Sequence, residues 1–76
     1  MNGSAAVKVT HALLNEAGKF LLQAAEAAAR IDNREFLYEV RAALRNWQMS
    51  AGSAKAPILE DRVFMQRLNK VLDKRG

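Results

Sequence analysis

The sequence predicts an all-α fold of three amphipathic helices, over approximately residues 4–31, 33–50 and 57–74, in a small bundle with the first helix longest. Three observations predict it. Apolar residues recur at helical spacing along almost the whole chain, with no alternating run that would mark a strand. The helical register breaks once, within "ARIDNREF" at residues 29–36. A single stretch of small residues, "MSAGSAKAP" at 49–57, then interrupts the pattern and reads as the linker between helices 2 and 3.

In the first helix Leu13, Ala17, Phe20, Leu21, Ala24, Ala28 and Ile31 make an apolar stripe, and Asn15, Glu16, Lys19, Gln23, Glu26 and Arg30 fall opposite. From Val9 and Ala27 round to Val7 and Ala25 the apolar arc covers about 160°, and Leu22 extends it, a width that suits the central helix of a three-helix core or a helix that also meets another chain. After the break Phe36, Val40, Ala43, Leu44 and Trp47 form a second stripe, rotated by about 145° from the first on a continuous wheel. A turn therefore belongs at Ile31–Asp32. Asp32 is expected to cap helix 2 with Glu35 at N3, and Ile31 and Phe36 to form a hydrophobic staple. Glu26 and Arg30, four apart, are expected to pair at the end of helix 1. Pro57 suits the start of helix 3, whose apolar face is Ile58, Phe64, Met65, Leu68, Val71 and Leu72. Phe20, Phe36, Trp47 and Phe64 are assigned to the core.

The chain is one small domain of 76 residues, and its size limits how much surface it can bury. Half the residues are hydrophobic, yet many of these are Ala, and there is no Cys to staple the fold. A second copy or another partner is the expected supplement. No apolar run approaches the roughly 20 residues of a membrane span, and the N-terminus lacks the order of a secretory signal. A soluble cytoplasmic protein is expected.

Catalytic chemistry is hard to assemble from these residues. His11 is the only His, and without Cys or a second His it is poor material for a metal site. "AGSAKAP" lacks the spacing of a phosphate-binding loop. No enzyme activity, cofactor, metal or small-molecule substrate is expected. Two kinds of surface are left. One is a protein interface: the wide face of helix 1, including Leu14, Leu22 and Ala25, and the stripe Arg34, Arg41 and Arg45 beside an exposed Tyr38 on helix 2. The other is a basic face on helix 3, with Arg67, Lys70 and Lys74 aligned and Val63 exposed among them. The net charge of +4 lies mostly in the last third of the chain. The first surface makes the protein an interaction module of regulator, adaptor or chaperone type, expected to self-associate as a dimer because helix 1 has apolar face to spare. The second would make it an accessory nucleic-acid binder, recognisable by steep salt dependence.

Overall fold

The turn in "ARIDNREF" forms where two helix ends must be satisfied within three residues. In the computed structural model, which describes residues 3–73, helix α1 spans Gly3–Arg30 and helix α2 spans Arg34–Ala54. Asp32 takes a left-handed conformation (φ 56°). Its N–H donates to the Ala29 carbonyl and the Asn33 N–H to the Ala28 carbonyl, the two bonds of a Schellman closure. Asp is among the few residues besides Gly that tolerate this conformation. Closing α1 this way uses up Asp32, so the cap of α2 moves one residue on. Asn33 is extended, and its Oδ1 accepts from the Phe36 N–H at 3.1 Å.

The turn stands where the sequence places it, but its chemistry differs. The capping box of Asp32 and Glu35 is replaced by Asn33 alone. The expected staple is open, since Ile31 is 71% exposed and Phe36 44%. Asn33→Ala should therefore lower stability by about 1 kcal/mol, a loss readable from the urea midpoint.

The 49–57 linker is mostly helix. Through "MSAGSA" α2 continues to Ala54, because Ala51 is fully buried and its packing outweighs the roughly 1 kcal/mol helix cost of Gly52. A second Schellman closure ends α2. Lys55 is left-handed, its N–H donates to the Gly52 carbonyl, and the Ala56 N–H donates to the Ala51 carbonyl. Ala56 and Ala51 are both in the core, the apolar contact that accompanies this motif.

The third predicted helix is two pieces. A 3-10 turn spans Pro57–Glu60, and helix α3 spans Arg62–Asp73. Asp61 is extended and divides them, its Oδ1 accepting from the Phe64 N–H at 3.1 Å. The division turns Ile58 into the core while α3 buries Phe64 and Leu68.

Cross-bonds at both ends show how the helices run. His11 meets Ala54 and Leu14 meets Trp47, so α2 returns antiparallel along α1. Asn15 meets Ile58, Glu26 meets Arg67 and Arg41 meets Leu72, so α3 follows the direction of α1 across both. The core gathers Leu22 and Ala25 of α1, Val40, Leu44, Trp47 and Ala51 of α2, Ala56, Ile58, and Phe64 and Leu68 of α3. The 28-residue α1 sets the long dimension of 48 Å.

Candidate interaction surface

Helix α1 presents two apolar faces, and the domain uses one. The inner face is His11, Leu14, Asn15, Gly18, Leu22, Ala25 and Ala28, at spacings of three and four. Each residue of this face has a defined task. The His11 Nε2 lies 2.7 Å from the Ala54 carbonyl at the end of α2. The Asn15 Oδ1 accepts from the Ile58 N–H at 3.2 Å and so holds the 3-10 turn. Gly18 leaves room for the indole of Trp47, which reaches past it to donate from Nε1 to the Leu14 carbonyl at 2.7 Å. Trp47 also meets Phe64 edge-on, with ring centroids 5.6 Å apart, so one side chain joins all three helices.

The opposite face of α1 has no partner among the described residues. Val9 (59% exposed), Leu13 (66%), Phe20 (67%) and Ile31 (71%) lie along it, with exposed Ala6, Ala17 and Ala27 and half-buried Ala24 between them. This corrects the assignment of Phe20 to the core, and the 44% exposure of Phe36 on α2 likewise corrects that of Phe36. The apolar arc of α1 is wide enough to supply either face, and the polar anchors His11 and Asn15, with the indole-sized gap at Gly18, select the other one. Periodicity alone carried no signal for this choice. A mid-helix Gly was the available clue, since it costs about 1 kcal/mol and asks for a packing reason.

The expected interface residues divide accordingly. Leu22 and Ala25 are completely buried in the domain core, and Leu14 packs against it. Leu22 and Ala25 are therefore closed to a partner in the folded chain, and Leu14 is half-buried. On α2, Tyr38 is 74% exposed beside exposed Arg34 and Arg45, with Met49 (73%) on the same outer face. Arg41 does not join them. Its Nη2 donates to the Leu72 carbonyl at 2.9 Å and ties α2 to the last turn of α3, where a cation also suits the helix dipole.

The basic face of helix 3 is thinner than its sequence. Arg67 grips Glu26 of α1 with two guanidinium nitrogens, Nε at 2.9 Å. That hydrogen bond holds the Glu26 carboxyl below its ordinary range, against the opposing effect of desolvation, and raises Arg67. Glu26 thus pairs across helices, not with Arg30 as its spacing suggested. Lys70 is exposed, and Lys74 lies outside the described residues. Lys70 and Arg30 border an open cleft of about 390 Å³ floored by Ala29, Leu37 and Val71, with the Glu26–Arg67 pair on its rim. Three basic side chains and one acidic one line it.

Among the described residues no group of three or more His, Cys, Asp or Glu could hold a metal ion, and no helix is long and apolar enough to cross a membrane. No family model, curated protein or solved structure matches the chain. The surface must be read on its own chemistry.

Proposed function

We propose that this protein is a small, non-enzymatic helical interaction module that pairs with a second copy of itself through the outer face of α1. The exposed apolar stripe from Ala6 to Ile31 carries this reading. It runs about 37 Å along the helix at 1.5 Å per residue. Monomeric soluble proteins rarely leave a contiguous apolar patch of more than a few hundred Å² in water.

The magnitudes suit a reversible dimer. Covering the four large side chains of the stripe in both copies recovers roughly 1–2 kcal/mol for each, or about 8–16 kcal/mol in all. Association itself costs about 4–15 kcal/mol. The two terms are of the same size, so pairing should depend on concentration. The outer face of α2, with Arg34, Tyr38 and Arg45, then remains for a different protein, in the manner of a regulator, adaptor or chaperone.

Sedimentation of the wild type across the micromolar range tests this directly. We expect a species heavier than the 8.4 kDa monomer whose share grows with concentration. Phe20→Glu should return the protein to monomer with its helix content unchanged, because Phe20 touches water and not the core, and such surface changes usually alter stability by less than about 0.5 kcal/mol. A wild type that stays monomeric throughout, or a Phe20→Glu variant that associates as before, ends the proposal.

A further inference from the structure

We infer that the two copies set their α1 helices antiparallel, in the register that places Phe20 against Ala17 and Leu13 against Ala24 of the other copy; this rests on the self-association proposed above. The outer stripe follows a strict seven-residue repeat. Ala6, Leu13, Phe20 and Ala27 occupy one seam position, and Thr10, Ala17, Ala24 and Ile31 the other. Steps of four and three alternate without a break from residue 6 to residue 31, the spacing with which one helix follows another. The outer seam holds one polar residue, Thr10, whereas the inner face, which serves the core, carries His11 and Asn15 beside Gly18.

The orientation follows from where the large residues stand. In an antiparallel pair each seam position meets the other kind. Centring the overlap puts Ile31 on Ala6, Thr10 on Ala27, Leu13 on Ala24 and Phe20 on Ala17, and every layer occurs twice by symmetry. No layer holds two large side chains, and each large one faces a small one, so the axes can keep one separation along the whole seam. A parallel pair in register would stack Phe20 on Phe20 and Leu13 on Leu13, then leave Ala on Ala in the layers between. Axis separation depends on the side chains at the contact, within about 8–10 Å, and that arrangement asks for both extremes within a single turn.

The flanks agree. One edge of the seam is the exposed row Val9, Glu16, Gln23 and Arg30, and the other edge, Leu14, Leu21 and Ala28, already packs against the domain core. Antiparallel pairing joins like edge to like edge. Glu16 then meets Gln23, and the Arg30 stem covers Val9. Parallel pairing would aim Glu16 and Gln23 at the edge of Leu21 and Ala28, which the domain core already occupies. Sliding the antiparallel pair by one repeat shortens the overlap. In one direction it brings Glu16 against Glu16, and in the other it leaves Ala17 facing Ala27 while Ile31 collides with Leu13.

The absence of cysteine makes the register directly readable. Leu13→Cys and Ala24→Cys are made as separate full-length variants, one carrying a mass tag, then mixed and oxidised mildly at micromolar concentration. We expect the mixed disulfide in roughly tenfold excess over either self-disulfide, because only facing thiols gain the millimolar effective concentration of a linked pair. Dominant self-disulfides of Leu13→Cys and of Ala24→Cys would overturn the antiparallel orientation. A dominant disulfide between Phe20→Cys and Ala24→Cys would overturn the register while keeping the orientation. Sedimentation of the reduced variants separates these failures from that of the self-association itself. Dimers that form no disulfide between Leu13→Cys and Ala24→Cys reject the inference alone, whereas monomers throughout, in variants and wild type, reject both.

Discussion

Gly18→Ala is expected to lower the stability of the domain by about 2 kcal/mol, although helix propensity by itself predicts a gain of about 1 kcal/mol. A Cβ at Gly18 would stand 2.6 Å from Cε2 and 2.7 Å from Cη2 of Trp47, and closer still to Cζ2. Carbon atoms rest at about 3.5–4.0 Å, so the indole must move by most of an ångström or more. Moving it strains a packed core, at about 1–3 kcal/mol, and pulls Nε1 from the Leu14 carbonyl, at about 1 kcal/mol. For a domain whose total stability is on the order of 4–11 kcal/mol, the urea midpoint should fall visibly. Gly52→Ala is the control. Gly52 is exposed, and its added Cβ would meet nothing within 4 Å, so the same substitution should stabilise by about 0.5–1 kcal/mol. Two glycines in helices, two opposite signs. Equal gains at both positions would mean that Trp47 does not lie against Gly18.

Trp47→Ala should cost about 3–5 kcal/mol and move the urea midpoint far down while a transition remains measurable. Trp47 is 6% exposed, lies against α1, donates to Leu14 and meets Phe64 of α3, so its removal opens a cavity that all three helices line. Trp47→Phe retains a ring and loses the donor, and should cost less than half as much. Circular dichroism across a urea titration ranks the three proteins. The two sites are also coupled. In the Trp47→Ala background Gly18→Ala should change sign and become favourable, because nothing remains for its methyl group to strike. An unchanged penalty there would place the clash elsewhere.

The candidate surface was half legible beforehand. That α1 carries more apolar arc than its neighbours can cover was readable from residues 7–31, as was the exposed Tyr38 between Arg34 and Arg45. Which part of the arc goes inward was not. Phe20 and Leu13 are larger than Gly18 and Ala25, and size favours them for the core. The structure inverts that ranking because a core is filled from both sides. Trp47 supplies the volume from α2, so α1 must answer with a small residue and an open carbonyl. Leu22 and Ala25 go inward with it, and Phe20, on the far side of the same helix, is left in water.

By itself, the sequence determined the class and number of the helices and the position of the turn after α1, since helical periodicity and a break in register are properties of neighbouring residues. It also placed Pro57 at a helical start and Trp47 and Phe64 in the core. Tertiary structure alone decided the rest. It extended α2 through "AGSA", because burial of Ala51 outweighs the preference of small residues for loops. It moved the cap from Asp32 to Asn33, because the carbonyls of Ala28 and Ala29 needed donors first. It drew Arg41 and Arg67 out of their basic stripes into bonds with Leu72 and Glu26. In each case the deciding partner lies in another helix, or in the closing of the previous one, and no local pattern on a single helix records who its neighbour will be.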